Sequence, residues 1–100
     1  MIESQKLSEN AQEVATLLKQ LANKYRLIIL CSLVKQELSV GELNEQIELS
    51  QSALSQHLAK LRENNLVSTR RVSQTIYYRI ENPKLQALLK VLHDNYCAEA

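Results

Sequence analysis

The fold is decided by the stretch SQSALSQHLAKLREN, which occupies residues 50–64 of the 100-residue chain. Its leucines recur at helical spacing, at Leu54, Leu58 and Leu61. This spacing predicts a helix, Gln51–Asn64, with one buried face. Ser50 stands where an N-cap is needed, because a serine oxygen accepts hydrogen bonds from the backbone N–H groups of a first turn. The stretch therefore predicts a capped helix whose opposite face is open to a partner.

The face opposite the leucines is small and polar. At about 100° per residue, this outer face is centred on Ser52 and Gln56. Small residues let a helix enter a DNA groove, glutamine can pair bidentately with adenine, and the helix N-terminus favours a phosphate. We therefore predict that the helix binds DNA through Ser50, Gln51, Ser52, Ser55, Gln56 and Lys60. The alternative is an ordinary solvent-facing helix, although such a face usually carries more Glu and Lys.

Upstream of this stretch, the pattern predicts three more helices. The first runs over Ser8–Leu21 and the second over Lys24–Val34, with Asn23 as its N-cap. A short third helix follows Ser39, which forms a capping box with Glu42 three residues later. Two short helices joined by a tight turn are typical of a helix-turn-helix unit.

Downstream, the apolar period changes from helical to two. Leu66–Arg71 and Thr75–Ile80 predict a two-stranded hairpin, although its turn lacks the Gly or Asn that short hairpins favour. We predict that DNA contacts near its tip come from Arg70, Arg71 and Gln74, because arginine there can meet phosphates or enter the minor groove. The alternative is a charged edge strand that resists aggregation.

A fifth helix is predicted from Pro83 to about Tyr96, with Asn82 as its cap and proline at its first position. The order is four helices, a β-hairpin and a helix, which is a mainly α (α+β) winged helix-turn-helix in one domain, residues 1–100. The first and last helices carry broad apolar stripes that one small core cannot obviously bury. We therefore expect a homodimer through these two helices, placing two recognition helices on a palindromic duplex operator. The alternative is that both stripes cover the monomer's own core.

Composition excludes several other classes. Hydrophobic residues make up 45% of the chain, too many for a disordered protein, and one Gly and one Pro are too few for a turn-rich barrel. The longest apolar run, Leu27–Cys31, is far short of a membrane span, and the N-terminus lacks a secretory signal, so we expect a cytoplasmic protein with no membrane partner. No nucleophile–base pair or phosphate-binding glycine loop is present, so we expect no enzyme, catalytic residue or cofactor.

Charge is polarised along the chain although the net charge is only +1. Between Lys60 and Arg79 lie five basic residues and one acidic residue, whereas residues 36–50 carry four glutamates and no basic residue. A basic block is a candidate footprint for DNA phosphates, and the alternative is a solvated surface.

Three segments carry a family resemblance: ELSVGEL (37–43), LSQSALSQHL (49–58) and QTIYY (74–78). Together they resemble the ArsR/SmtB family of bacterial repressors, over about Ala11 to Cys97. The resemblance implies dimeric promoter binding controlled by an inducer. The metal-sensing members have cysteines where this chain has Ser39 and Gly41. Its last helix offers only His93 and Asp94, neighbours expected to point in different directions, so we predict no metal site.

The cysteine pair Cys31 and Cys97 resembles instead the thiol-sensing group of that family, which comprises HlyU, BigR and SqrR. This resemblance implies that both cysteines react with persulfides, polysulfides or oxidants and so lower DNA affinity. The alternative for Cys31 is a small buried hydrophobe, because it lies on an apolar stripe. A constitutive or metal-responsive repressor is then the alternative function.

Overall fold

The computed structural model describes residues 2–97, and the side chains of residues 5–96. Within them the chain forms five α-helices, a π-helical turn and a three-stranded antiparallel sheet. The helices are α1 Ile2–Leu21, α2 Lys24–Ser32, α3 Val40–Gln46, α4 Gln51–Glu63 and α5 Pro83–Leu92, which the π-helical turn His93–Cys97 extends. The strands are β1 Leu38–Ser39, β2 Ser68–Val72 and β3 Thr75–Arg79. This is the winged helix-turn-helix order that the sequence predicts.

The core is built from leucine, isoleucine and valine, with Cys31 among them. Leu54, Leu58 and Leu61 are each at most 1% exposed, so the predicted inner face of α4 is confirmed. Leu85 and Leu89 bury the inner face of α5 in the same core. No helix among the described residues is long and apolar enough to cross a membrane.

The helix-turn-helix unit is held by four polar side chains. Ser39 and Glu42 form the predicted capping box, with bonds of 3.1 Å from the Glu42 N–H and 3.0 Å from the Ser39 N–H. The Ser50 hydroxyl oxygen accepts from the Ala53 N–H at 3.1 Å, as predicted for an N-cap. The Asn44 side chain donates to the Leu49 carbonyl at 2.9 Å. This last bond ties α3 to the turn and so fixes where α4 begins.

The C-terminus of α4 is closed by a Schellman motif. The Leu66 N–H donates to the Leu61 carbonyl at 2.9 Å, and the Asn65 N–H donates to the Arg62 carbonyl at 3.0 Å. Asn65 has a φ of 61°, the left-handed conformation that asparagine tolerates better than most residues. The Asn pair therefore ends α4, with Asn64 as the cap rather than the last helical residue.

The sheet differs from the predicted two-stranded hairpin because β1 adds a third strand, in the order β1-β3-β2. Leu38 pairs with Tyr78 and Ser39 pairs with Tyr77. Two residues are too few to show a period, so the sequence pattern could not reveal β1. The predicted first hairpin strand was also displaced: Leu66 and Val67 are buried in the connection, and β2 begins at residue 68 and ends at residue 72.

The hairpin formed by β2 and β3 is the wing, and its turn consists of Ser73 and Gln74, because Val72 pairs directly with Thr75. Ser73 has a φ of 57°, so it supplies the positive φ that a tight hairpin needs without the usual glycine.

Three helix boundaries also differ from the prediction. α1 begins at Ile2 rather than Ser8, α2 ends at Ser32 rather than Val34, and the chain beyond Leu92 winds as a π-helical turn. Residues 5–16 of α1 are all exposed, so no buried stripe marked where the helix begins.

Candidate nucleic-acid interface

The outer face of α4 is open to solvent. Gln51, Ser52, Ser55, Gln56 and Lys60 are all exposed. Ser50 is also exposed, but its hydroxyl oxygen is engaged as the N-cap. The predicted α4 residues therefore lie together on one convex surface, and Ser50 contributes mainly by holding the first turn.

Shallow grooves run along both flanks of α4. The wing-side groove is lined by Ser55, Ala59, Arg62, Glu63 and Tyr78. The opposite groove is lined by Arg26, Ala53, Gln56, His57, Ala59, Lys60 and Glu63. Helix α4 thus stands as a ridge between two grooves that carry basic residues. Such a ridge can enter a major groove about 12 Å wide, with phosphates along both edges.

The two wing arginines have different surroundings. Arg70 forms a bidentate ion pair with Glu37, in which its Nε donates to Oε2 at 3.2 Å and its Nη2 donates to Oε1. Its guanidinium also lies 5.3 Å from the ring centroid of Tyr77, its cross-strand partner. The hydrogen bond from Arg70 holds the pKa of the Glu37 carboxyl below its ordinary value, and the same bond raises the pKa of Arg70.

Arg71 points to the opposite face of the wing because it is the next residue along β2, where it pairs with Ile76. Its side chain is exposed and has no hydrogen-bond or ion-pair partner among the side chains of residues 5–96. Gln74 is exposed in the wing turn. The predicted wing residues are thus near one another, but only Arg71 and Gln74 are unengaged by other described groups.

Several residues near this surface were missed by the sequence reasoning. Arg26 lies at the start of α2 and lines the groove opposite the wing, and Arg62 and Tyr78 line the wing-side groove. The half-buried His57 ring also lines the groove opposite the wing, and its centroid lies 6.1 Å from that of the Tyr25 ring. The sequence offered one signal for Arg26, namely the basic residues directly after the Asn23 cap. That signal was not enough, because nothing local indicates that α2 begins beside α4.

One of the predicted sulfur-reactive residues, Cys31, lines neither of the two grooves beside α4. Cys31, 9% exposed, borders a cleft lined by Ile28, Cys31, Ser32, Lys35, Gln36, Gln46 and His93. Cys97 ends the π-helical turn, but its side chain lies outside the described side chains. His93 is in the same turn as Cys97, so the chain leading to Cys97 passes beside the Cys31 cleft.

His93 and Asp94 do not point apart as expected from their adjacency. The His93 Nδ1 lies 3.5 Å from the Asp94 Oδ1, at the start of the π-helical turn. Asp94 also accepts from Lys90 at 2.7 Å, and that bond, followed by the contact with His93, lowers its pKa. Within the described part of the chain, no group of three or more His, Cys, Asp or Glu residues could hold a metal ion.

The capped helix-turn-helix, the ridge of exposed polar residues and the adjoining wing define the class of a winged helix-turn-helix DNA-binding regulator. Comparison with known proteins agrees. The family model described as bacterial regulatory protein, arsR family, matches residues 23–69. The transcriptional activator HlyU of Vibrio cholerae is 50% identical over 93 residues, which are 93% of this chain and 86% of that protein.

A biofilm growth-associated repressor of Xylella fastidiosa is 44% identical over 93 residues, which are 93% of this chain and 82% of that protein. The solved structure of reduced HlyU from Vibrio cholerae matches with a TM-score of 0.87 at 49% identity, covering 94% of this chain and 99% of that one. The chain therefore belongs to the ArsR family of bacterial regulatory proteins, and it is a DNA-binding transcriptional regulator rather than an enzyme.

Proposed function

We propose that this regulator is a cytoplasmic, single-domain protein that binds a palindromic duplex operator as a homodimer and releases it when Cys31 and Cys97 react with reactive sulfur. The ridge formed by α4 carries the DNA part of the proposal. Its outer residues are small, polar and exposed, and the Ser50 cap leaves the first turn well defined. With α4 in the major groove, Gln51, Ser52, Ser55 and Gln56 face base edges, and Lys60 and Arg71 face phosphates.

Dimer formation is supported by apolar residues that the single chain leaves exposed. On α1, Leu7, Val14 and Leu18 are 66%, 41% and 50% exposed, and their spacing places them on one face. At the other end of the chain, Val91 and Tyr96 are 58% and 83% exposed. Contiguous apolar patches of this kind are typical of interfaces, and a twofold dimer would bury both helices.

In vitro selection from a pool of random duplexes tests the DNA proposal and identifies the operator in the same experiment. We expect the selected duplexes to share an inverted repeat, and their affinity to fall steeply as salt rises, because each neutralised phosphate releases counterions. Selection of a single, unrepeated motif would argue against two recognition helices. Absence of any enriched sequence would argue against base readout by α4.

Base readout by Gln56 predicts a sequence-selective loss. Gln56→Ala is expected to lower the preference for one base pair in each half-site by about 1–3 kcal/mol, because a bidentate contact to adenine is lost. Competition between the selected operator and single-base variants measures this preference. Gln36→Ala, at an exposed glutamine that lines neither groove beside α4, is the matched control and should change nothing. If Gln56→Ala lowered the affinity for every DNA sequence equally, Gln56 would contact the DNA backbone rather than a base.

The wing arginines predict a contrast between two variants of equal charge. Arg71→Ala is expected to weaken all duplexes roughly three- to tenfold and to reduce the slope of log K against log salt by about 2, one phosphate per protomer. Arg70→Ala removes the same charge, but Arg70 is already paired with Glu37, so we expect a change of less than half that size. Fluorescence anisotropy over a salt series measures both. A loss for Arg71→Ala confined to one sequence would contradict its phosphate role.

Control by sulfur chemistry is supported by the cleft beside Cys31. Lys35 and His93 line it, and a lysine there would attract an anionic hydropersulfide. Cys97 follows His93 by one helical turn, so both cysteines belong to the same end of the molecule. A bond between them would link α2, in the core, to the chain end beyond α5. This link would shift α5 relative to the rest of the dimer and so change operator affinity.

The proposed chemistry takes two balanced steps. The Cys31 thiolate attacks the sulfane sulfur of a hydropersulfide, RSSH, which forms Cys31–S–SH and releases RS⁻. The Cys97 thiolate then attacks the Cys31 sulfur, which forms a Cys31–Cys97 disulfide and releases HS⁻. The two cysteines are oxidised and the sulfane sulfur is reduced to sulfide. If Cys31 first gains two sulfur atoms, attack on the inner added sulfur gives a trisulfide bridge and again releases HS⁻.

Intact mass of the reduced dimer after exposure to a persulfide donor, and in parallel to peroxide, tests this part of the proposal. We expect loss of both thiols with persulfide, as a disulfide or with added sulfur atoms. If both thiols stayed unmodified under both conditions, the sulfur proposal would be wrong and Cys31 would be only a packing residue of the core. The relatives include an activator and a repressor, so operator occupancy, rather than the sign of regulation, is what we propose is controlled.

A further inference from the structure

Among the described side chains of α1, from residue 5 onward, burial begins near the C-terminal end of the helix. Residues 5–16 are exposed, whereas Leu17 and Gln20 are half-buried and Leu21 is 4% exposed. The helix therefore projects from the body of the protomer, and its direction depends on the contacts of its last turn.

One side-chain oxygen in that turn connects the ends of three helices. Gln20 Oε1 accepts from Arg26 Nη1, at the start of α2, at 3.0 Å. The same oxygen accepts from Asn64 Nδ2, the C-cap of α4, at 3.3 Å. Asn64 Nδ2 also donates to the Lys60 carbonyl at 2.8 Å, so the cap is itself held to the last turn of α4. Arg26 Nη1 reaches the Gln20 backbone carbonyl as well, at 3.5 Å.

We propose that Gln20 is a positioning residue that fixes the angle between α1 and the recognition helix α4, and thereby sets the half-site spacing that the dimer accepts. This inference rests on the proposed dimer through α1. In such a dimer the two α4 helices are held apart by the two α1 helices, so the angle at the Gln20 contact determines their separation. Gln20 touches no DNA in this scheme and acts through Asn64.

The length of α1 amplifies small changes at this contact. From Gln20 to Leu7 the helix extends about 20 Å, at about 1.5 Å per residue. A rotation of about 10° at Gln20 would therefore move the Leu7 end by about 3 Å, because the helix acts as a rigid lever of that length. This displacement is close to the rise of one base pair, about 3.4 Å. Loss of the contact should therefore reduce the ratio of affinities for two operators whose half-site spacings differ by one base pair.

Two substitutions of similar size distinguish the role of the Gln20 side-chain oxygen, as a hydrogen-bond acceptor, from the role of the side chain's volume. Gln20→Glu keeps an oxygen that can accept from both Arg26 and Asn64, whereas Gln20→Leu removes the acceptor. Each full-length variant is titrated with the selected operator and with the same operator carrying one extra base pair between its half-sites. We expect the wild type and Gln20→Glu to prefer the original spacing by about tenfold or more. For Gln20→Leu we expect this ratio to fall by a factor of about three to ten, the range given by loss of a hydrogen bond.

Two further readouts distinguish positioning from general destabilisation or phosphate binding. The slope of log K against log salt should be unchanged in Gln20→Leu, because no phosphate contact is removed. Asn64→Ala removes the other partner and should reproduce the lower spacing ratio, and the double variant should add little to either single one. An unchanged spacing ratio in both Gln20→Leu and Asn64→Ala dimers would overturn the inference. A wild type that remains monomeric would overturn the proposed dimer, and this inference with it.

Discussion

Replacing Leu18 by glutamate is expected to convert the dimer to a monomer and to lower operator affinity by about two orders of magnitude or more. Leu18 is 50% exposed in the single chain and shares a face of α1 with Leu7 and Val14. In the proposed dimer this face is covered, and an unpaired carboxylate there would lose its hydration without gaining a partner. Two linked half-site contacts then become one, and the gain from linkage, about 10²–10⁴ in affinity, is lost.

Sedimentation equilibrium measures the dimer, and anisotropy on the selected operator measures affinity. Gln12→Glu is the matched control, because it adds the same charge to an exposed position of α1 away from the Leu18 face. We expect this variant to remain dimeric and to bind the operator normally. If Leu18→Glu stays dimeric at micromolar concentration, the α1 face is not the interface. If it becomes monomeric yet keeps its affinity, the operator does not require two recognition helices.

The sequence could predict most of the fold because its local signals agree with one another. The leucine spacing of residues 54–61 fixed the inner face of α4, and Asn23, Ser39 and Ser50 each marked a helix start with its own capping oxygen. The change to a period of two marked the wing. These features depend on interactions between residues at most four positions apart, so they can be predicted from the sequence alone.

What the sequence could not predict depends on contacts between distant segments. Strand β1 exists because Leu38 and Ser39 pair with Tyr78 and Tyr77, some forty positions away. The engagement of Arg70 by Glu37 arises from the same pairing, since β1 brings the loop before it to the edge of the sheet. Alternation along β2 puts the two wing arginines on opposite faces, but the sequence does not show which of them is engaged, because the contact of Arg70 with Glu37 depends on the pairing of β1 with β3.

The candidate DNA surface shows the same division. The polar outer face of α4 followed from the helical wheel, so its exposed residues could be named from the sequence. The basic groove on its other flank could not, because it depends on how α2 packs beside α4. Gln20 illustrates the limit most clearly: its two partners lie 6 and 44 positions away, and no local pattern links them.

Replacing Cys31 by serine is expected to abolish the response of operator binding to a persulfide donor. In the wild type we expect treatment to lower operator affinity by about 5- to 150-fold, the usual range for coupling between an effector site and a ligand site. Without the Cys31 sulfur neither the persulfide nor the bridge to Cys97 can form. Anisotropy titrations of treated and untreated protein on the selected operator measure the ratio.

Cys97→Ser separates the two chemical steps and serves as the partner variant. This variant should not form the bridge but should still be persulfidated at Cys31, which intact mass would show as an increase of about 32 Da per added sulfur atom. Cys31→Ala controls for the packing of a side chain that is only 9% exposed, because it removes the thiol without adding a buried hydroxyl. Both Cys31 variants should bind the operator when untreated, as reduced wild type does. If treated Cys31→Ser or Cys31→Ala still releases DNA as the wild type does, Cys31 is a packing residue and the inducer acts at another site.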